Sequence, residues 1–420
     1  MEEDTTQARK RLLIVGGGAA GLLTAMKAGP AQDELGLEIT LIDCKDFFEY
    51  TPALISVLYE KEDEQFEQHF RQVTTEYKSF LTKYGVKFVL GIVERIAHDR
   101  VILSQDGGEI RFDMAVICSG SSYHDPWKIS CENGTITWLD RLHYLRSQRD
   151  QYKSSKSILC IGGGPVAVEV AAEIAYRAPS KDITLVNASD VVLEGTPGKM
   201  SHGAQNVLKN LNTLRLISGE RAEPKGDNGK GSPVYVTDKT QTTVTGDLAY
   251  LCTGIKPNTW FCPDEWLDEK RQIQVDNCFR VEAVPGGHIF ALGDANNIKE
   301  PNLFFTAHMQ AVHFVKNLHR KCQTPVPYHG SQLSMVISLG PSYAVGSISG
   351  FSLTGWPLTT KKGSKIASLI KHIIERITMD DFHSKILVND ILYYMHENNH
   401  LPQRALRSLT LATSQKLAID

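Results

Sequence analysis

Two short glycine-rich turns have the residue types and spacing that bind a dinucleotide. The first turn fits the pattern GxGxxG with Gly16, Gly18, Ala19, Ala20 and Gly21. A pyrophosphate can approach the backbone amides of such a turn closely, because no bulky side chain keeps it away. Asp43, further along, has a carboxylate that can accept hydrogen bonds from the hydroxyl groups of a ribose.

The elements around the first turn are those that a dinucleotide site needs. The apolar run 12–15 predicts a strand buried on both faces, and the stretch 22–28 predicts a helix. A second predicted strand, 38–42, ends on Asp43. The helix N-terminus beside the turn favours the negative charge of a phosphate. The uncharged stretch 12–26 is therefore interpreted as a phosphate-binding turn, and it is too short to span a bilayer.

The same plan recurs in the second half of the chain. A predicted strand at 157–161 leads into a second glycine turn, and a strand at 182–186 ends on Asn187. The second turn contains Gly162, Gly164, Pro165, Val166 and Ala167. A strand-end glycine, Gly120, is answered by Gly254. Two such units predict two nucleotides that are bound closely enough to exchange electrons.

Two positions leave alternatives open. A strand-end pair, Gly293-Asp294, precedes a predicted helix at 302–318 and is suited to hold the phosphate or ribityl part of a flavin. Alternatively, Asp294 is a simple helix N-cap. Asn187 stands where an acid would favour NAD over NADP, so the nucleotide preference stays open.

These motifs resemble those of the pyridine nucleotide–disulfide oxidoreductase superfamily over residues 11–320. The matching segments are IVGGGAAG, VICSGSS, CIGGGPVAVEVAAEIA, LCTGIKPN and IFALGDAN. The segments LIDCKDFFEYTPAL and ISLGPSYAVGSISGF are most similar to the apoptosis-inducing-factor-like group, in particular to quinone-reducing ferroptosis-suppressor flavoproteins. A more distant similarity is to type II NADH:quinone dehydrogenases.

The resemblance implies an α/β fold with two Rossmann-like domains, one inserted in the other, and a C-terminal α+β region. The FAD-binding domain would comprise 1–124 and 264–326, the NAD(P)H-binding domain 125–263, and the C-terminal domain 327–420.

The resemblance also assigns cofactors to individual residues. FAD would be held by Gly16, Gly18, Ala19, Ala20, Gly21, Asp43, Lys45, Val89, Gly120, Gly293 and Asp294. NAD(P)H would be held by Gly162, Gly164, Pro165, Val166, Asn187 and Gly254. Glu169 would be a catalytic residue near the nicotinamide, or else a first-turn acid that favours the helix dipole. Lys362 matches a functional lysine of the relatives, or else is a solvated surface lysine.

The cysteines predict how electrons leave the flavin. No two of the eight are closer than ten positions, so neither a metal site nor a dithiol relay is predicted. We expect unpaired, mostly buried thiols in a reducing compartment. Electrons would then pass from the flavin directly to a diffusible acceptor, preferably a quinone. A small iron–sulfur protein or monodehydroascorbate is an alternative acceptor, and a signalling flavoprotein controlled by its nucleotide is an alternative function.

Charge and the chain ends bear on partners and location. The 420 residues carry 45 Lys and Arg against 48 Asp and Glu, so no nucleic-acid partner is expected. The acidic N-terminus lacks a signal-peptide pattern, so we expect a cytoplasmic protein that is not secreted. The segment 361–377 predicts a basic amphipathic helix. That helix would lie on a membrane, such as the mitochondrial outer membrane or a lipid droplet, or pack on the core or in a homodimer.

Overall fold

A computed structural model shows strands and helices alternating along the chain. It describes residues 8–104, 108–129, 134–227, 229, 231–320, 324–348, 350–355 and 360–382. The strands are β1 (Lys10–Val15), β2 (Leu37–Asp43), β3 (Phe47–Glu49), β4 (Thr74–Glu76), β5 (Lys87–Leu90), β6 (Val93–Ile96), β7 (Arg100–Leu103), β8 (Glu109–Arg111), β9 (Met114–Ile117), β10 (Ser121–Ser122), β11 (Ser157–Ile161), β12 (Asp182–Asn187), β13 (Leu214–Ser218), β14 (Ala222–Asp227), β15 (Pro233–Thr237), β16 (Thr243–Thr245), β17 (Leu248–Leu251), β18 (Lys256–Pro257), β19 (Ile289–Ala291), β20 (Met335–Ser338), β21 (Ala344–Ile348) and β22 (Phe351–Ser352). The helices are α1 (Ala19–Ala28), α2 (Gln32–Leu35), α3 (Leu54–Leu58), α4 (Asp63–Gln72), α5 (Tyr77–Thr82), α6 (Trp138–Ser154), α7 (Pro165–Arg177), α8 (Gly198–Lys209), α9 (Phe304–His319) and α10 (Lys365–Phe382).

The first sheet is parallel and combines distant parts of the chain. Its strand order is β19-β9-β1-β2-β5, so a strand near residue 290 lies beside strands from the first 120 residues. The last four residues of strand β1 are apolar and buried, as expected for a central strand covered on both faces. Because the strands are parallel, their carboxyl ends meet at one edge of the sheet.

A second parallel sheet repeats this arrangement, with the order β13-β12-β11-β17. In each sheet the strand before the glycine turn lies between the next parallel strand and the strand that leads to Gly120 or Gly254. Antiparallel sheets, β6-β7-β8 and β14-β15-β16, occupy corresponding places in the two halves of the sequence. The predicted α/β fold with duplicated Rossmann-like cores is thereby confirmed; the exact domain boundaries stay predictions.

The C-terminal α+β region consists of the antiparallel sheet β20-β21-β22 and helix α10. Helix α10 packs against β20 and β21, and α7 of the second core packs against β20. The C-terminal region therefore contacts the helix that follows the second glycine turn. Within the described part of the chain, none of the helices combines the length and the apolar character that a membrane crossing requires.

A buried ion pair connects β3 of the first core to α6. Arg141 Nε donates to Glu49 Oε2 at 2.8 Å, and the two side chains are 1% and 3% exposed. The guanidinium also donates to the carbonyl oxygen of Pro126 at 3.0 Å. A charge at this depth depends on its partner, because nothing else replaces the lost hydration.

Replacing Arg141 with Met should destabilise the protein by about 3–5 kcal/mol, because Glu49 is then a buried charge without its partner. The free energy of unfolding, measured by urea denaturation, checks this. Arg111→Met is the control, since Arg111 is 52% exposed in its pairs with Asp99 and Glu109 and should cost less than about 1 kcal/mol. Equal losses in the two variants would contradict the prediction.

Candidate cofactor and substrate cavity

One cavity of about 1540 Å³ lies where the carboxyl-end edges of the two parallel sheets approach each other. Its lining contains predicted residues from both nucleotide motifs. From the first motif and its partners it contains Gly16, Gly18, Ala19, Ala20, Asp43, Lys45, Gly120, Gly293 and Asp294. From the second it contains Gly164, Pro165, Val166, Glu169 and Gly254. Five predicted residues are not part of the lining, namely Gly21, Val89, Gly162, Asn187 and Lys362.

The first glycine turn is shaped by close backbone packing. Gly16 has a φ of +99°, and a methyl group on it would lie 2.4 Å from the carbonyl oxygen of Cys118. A methyl group on Gly21 would lie 1.8 Å from the carbonyl oxygen of Gly16. These two glycines therefore let the turn pack against α1 and the end of β9. At Gly18, which precedes α1, no atom lies within 4 Å of the corresponding position, so a phosphate has room there.

Asp43 supports this turn from beneath. Its carboxylate accepts hydrogen bonds from the Gly17 amide at 2.5 Å and from the Lys45 amide at 2.8 Å, and the residue is 8% exposed. The side chain of Asp43 still lines the cavity, where it can accept from a ribose hydroxyl. Val89 lies in β5, and the backbone that reaches the cavity is further along, at 91–93.

Asp294 lies in a polar cluster that the sequence motifs did not reveal. Its Oδ2 accepts hydrogen bonds from Ser121 Oγ at 2.6 Å and from Lys128 Nζ at 3.1 Å. Lys128 Nζ also donates to Ser121 Oγ at 2.7 Å. Both partners line the cavity; Ser121 belongs to the matching segment VICSGSS, whereas Lys128 lies outside the matching segments. A carboxylate beside an ammonium and a hydroxyl group fits the polyhydroxy ribityl chain of a flavin, so the residues present fit FAD.

The second turn repeats the geometry of the first. Gly162 has a φ of +127°, and a methyl group on it would lie 2.4 Å from the carbonyl oxygen of Cys252. Gly164 precedes α7 and has open space beside it, as Gly18 does before α1. The residues present therefore fit a second dinucleotide on this side of the cavity.

Glu169, on α7, is paired with a lysine from the C-terminal region. Its Oε1 lies 2.5 Å from Lys371 Nζ on α10 and accepts from the Ser338 amide at 2.8 Å. Lys371 Nζ also donates to Ser338 Oγ at 2.8 Å. Sequence spacing alone could not find this pair, because it depends on how α10 packs. Lys362 is exposed on the turn before α10, and its catalytic role stays a prediction.

Aromatic and aliphatic side chains form the wall around this pair. Tyr50 and Phe304 line the cavity with their rings 4.8 Å apart. The ring of His308, which is not part of the lining, lies 4.2 Å from that of Phe304. Burial, together with the charges of Glu375 and Glu169, raises the pKa of Tyr50, so its hydroxyl stays neutral. Burial lowers the pKa of His308 to about 3, so its imidazole is neutral as well. The C-terminal region adds Met335, Ile337, Ile348, Phe351, Ile370, Ile373, Ile374 and Ile377.

Two free cysteines line the cavity. Cys118 and Cys252 are free and buried, and burial raises the pKa of each thiol. A third cavity residue, Cys44, is disulfide-bonded. The prediction that all thiols are unpaired is therefore wrong for Cys44. The sequence separation of the cysteines hid this bond, since a fold can join residues that are far apart in the chain.

Known proteins share both the sequence pattern and the fold. Residues 10–311 match the family model described as pyridine nucleotide-disulphide oxidoreductase. The chain is 28% identical over 372 residues to oxidoreductase ptaL of Pestalotiopsis fici, which covers 84% of this chain and 95% of that protein. It is 27% identical to ferroptosis suppressor protein 1 of Xenopus tropicalis, over 85% of this chain and 93% of that protein.

Solved structures show the same fold at low identity. A sulfide:quinone oxidoreductase from Aquifex aeolicus has a TM-score of 0.69 at 17% identity, and covers 90% of this chain and 92% of its own. NDH2 from Plasmodium falciparum in complex with NADH has a TM-score of 0.70 at 13% identity, covering 90% and 98%. At these identities the likeness establishes the fold alone.

Replacing Asp294 with Ala should weaken FAD binding about 10- to 100-fold, because hydrogen bonds to a charged group are lost. Fluorescence titration of FAD into apoprotein measures the Kd. Asp113→Ala is the control, since Asp113 pairs with Arg11 outside the cavity. An unchanged Kd for Asp294→Ala would show that the cluster with Lys128 does not hold the flavin.

Proposed function

The chain belongs to the pyridine nucleotide-disulphide oxidoreductase family, and we propose that within it the protein is an NAD(P)H:quinone oxidoreductase. It is an oxidoreductase with FAD and NAD(P)H as its cofactors. Bound FAD would take a hydride from NAD(P)H and pass two electrons to the acceptor. The choice of a quinone agrees with the resemblance to quinone-reducing flavoproteins and with the name of the related sulfide:quinone oxidoreductase.

The observation that carries this proposal is the composition of the shared cavity. Part of the lining comes from both nucleotide motifs, and another part, which is mostly apolar, comes from β20, β21, β22 and α10. A quinone head group is flat and carries two carbonyl oxygens, and a lipid quinone also has a long apolar tail. A polar pair, Glu169 and Lys371, surrounded by isoleucines suits such a molecule better than a charged or protein acceptor.

The thiols support direct transfer to the acceptor. Cys118 and Cys252 each lie against a glycine turn, where burial keeps the thiol protonated. A protonated thiol is a poor nucleophile, so these two residues are unsuited to a dithiol relay. Cys44 follows Asp43, at the end where the adenosine ribose of FAD would bind. We therefore propose that its disulfide lies away from the reacting flavin ring.

Lys371 and Glu169 would manage the proton that the reaction requires. Reduction of a quinone to a quinol takes up two protons, whereas the hydride supplies only one. The remaining proton must reach a quinone oxygen inside the cavity. The ammonium of Lys371 has three N–H donors, and one remains to turn toward a quinone oxygen beyond those given to Glu169 and Ser338. The pairing with Glu169 would orient it.

Helix α10 would also bring the cavity to a membrane surface. Ile366, Leu369 and Ile373 are 48%, 60% and 46% exposed and lie along one side of the helix. Lysines at 361, 362 and 365 and Arg376 lie in or beside this segment. An amphipathic helix of this kind lies in the plane of an anionic membrane, where a lipid quinone is dissolved. We propose a peripheral location on a cytoplasmic membrane surface, with the mitochondrial outer membrane and the lipid droplet as candidates.

The test is an anaerobic two-step titration of the FAD-loaded protein. NADH or NADPH should reduce the flavin, which lowers its absorbance at about 450 nm. A soluble ubiquinone analogue should then reoxidise the flavin and restore the absorbance within about a second. A flavin that stays oxidised with both nucleotides would refute the proposed NAD(P)H oxidoreductase activity. Reoxidation by an iron–sulfur protein or monodehydroascorbate, but not by quinones, would refute the acceptor.

Replacing Lys371 with Met should slow quinone reduction about 10- to 100-fold, because a positioned proton donor contributes a factor of this order or more. Flavin reduction by the nucleotide should change much less. Stopped-flow absorbance separates the two half-reactions. Lys209→Met on α8 is the control, since Lys209 does not line the cavity. If Lys362→Met slows quinone reduction and Lys371→Met does not, the assignment made from the family resemblance is the right one.

A further inference from the structure

We propose that Glu194 makes the second nucleotide site select NADH over NADPH. The inference rests on the NAD(P)H half of the proposed function and is independent of which acceptor takes the electrons. It concerns the loop 188–194, which follows β12. In a sheet of this type the adenosine ribose lies at the carboxyl end of this strand, beside the glycine turn.

The strand-end residue itself does not make the selection. Asn187 is 4% exposed, and its Nδ2 donates to the carbonyl oxygens of Ser189 at 2.7 Å and of Val191 at 2.9 Å. A methyl group on Gly163 would lie 1.9 Å from Asn187 Oδ1, so the amide fills the space beneath the glycine turn. Both ends of the Asn187 side chain are thus engaged within the protein. The residue shapes the loop, and the choice of nucleotide is left to the loop itself.

The loop is held in a fixed position relative to the glycine turn. The Leu193 amide donates to the carbonyl oxygen of Gly163 at 2.7 Å. Gln205 on α8 accepts from the Val192 amide at 3.1 Å and donates to the carbonyl oxygen of Asp190 at 3.1 Å. The side chains of this loop therefore have defined places around the ribose that the turn positions.

Within this loop, Glu194 is directed back toward the strand end. Its carboxylate accepts a hydrogen bond from the Ser189 hydroxyl, and Ser189 is two residues beyond the end of β12. Glu194 is exposed. A carboxylate here can accept from the 2′-hydroxyl of NADH, whereas it repels the doubly charged 2′-phosphate of NADPH. It supplies the charge that Asn187 lacks.

Lys239 is a basic residue near the loop, and a positive charge there would favour the 2′-phosphate of NADPH. A methyl group on Gly219 would lie 2.8 Å from Asp190 Oδ1 and 4.0 Å from Lys239 Nζ, so these two groups lie near each other. Lys239 and Asp190 therefore carry opposite charges on the same side of Gly219. Residues 187–198 contain two acids, Asp190 and Glu194, and no Lys or Arg. Of the two acids, Glu194 is the one whose carboxylate is hydrogen-bonded to Ser189, so it contributes the negative charge next to that hydroxyl.

The test compares binding of NAD⁺ and NADP⁺ to the oxidised, FAD-loaded protein by calorimetry, so that no acceptor or turnover is involved. The unmodified protein should bind NAD⁺ about tenfold or more tightly than NADP⁺. Glu194→Gln should reduce this ratio toward one, and Glu194→Arg should reverse it. Glu223→Gln, an exposed acid on β14, should leave the ratio unchanged.

Two results would overturn the inference. The first is equal or tighter binding of NADP⁺ by the unmodified protein, with a large loss of NADP⁺ affinity in Lys239→Met, because Lys239 would then hold the 2′-phosphate. The second is a ratio that Glu194→Gln does not change. Thermal denaturation with unchanged FAD content verifies that each variant is folded. Failure of quinone reduction would leave the binding ratio intact, so the two proposals fail separately.

Discussion

The close approach of a phosphate to a bare backbone turn is the constraint on which the rest of the structure depends. It requires a glycine at the end of one strand whose backbone lies in close contact with the end of a neighbouring strand. Gly16 lies against the carbonyl oxygen of Cys118 in this way, and Gly162 lies against that of Cys252. In each case a methyl group on the glycine would lie only 2.4 Å from the oxygen. The same contact is made in both parallel cores, and in each the strand before the glycine turn lies between two parallel neighbours, although the first sheet has an additional strand, β19. Both cores direct their glycine turns into one cavity.

That contact also explains why two cysteines lie beside the glycine turns and line the cavity. Cys118 and Cys252 occupy corresponding positions at the ends of β9 and β17, and the surrounding strands bury their thiols. Burial in an apolar environment disfavours the thiolate, which is the reactive form. They are therefore packing residues of the two turns. The disulfide-bonded Cys44 directly follows Asp43 in the chain.

The C-terminal region completes the cavity that the two cores only begin. Helix α10 and strand β20 reach α7 and place an ammonium group against Glu169. The same helix contributes Ile370, Ile374 and Ile377 to the wall and exposes Ile366 and Leu369, while Ile373 both lines the cavity and is partly exposed. Both alternatives for this segment thus have a physical basis, since one side packs on the core and another stays uncovered. Acceptor chemistry and surface attachment would depend on a single helix.

The sequence by itself determined the two nucleotide-binding cores, because their motifs are local. A strand, a glycine turn and a helix are close together in the chain, and periodicity together with glycine spacing predicts them. Gly18, Asp43, Gly164 and Asp294 were found in this way, and all four line the cavity. Only the tertiary structure decided the pairs Glu169–Lys371 and Lys128–Asp294, the disulfide of Cys44 and the inward turn of Asn187. These depend on which distant elements pack together, and that packing is set by the summed burial of many side chains and leaves no local pattern.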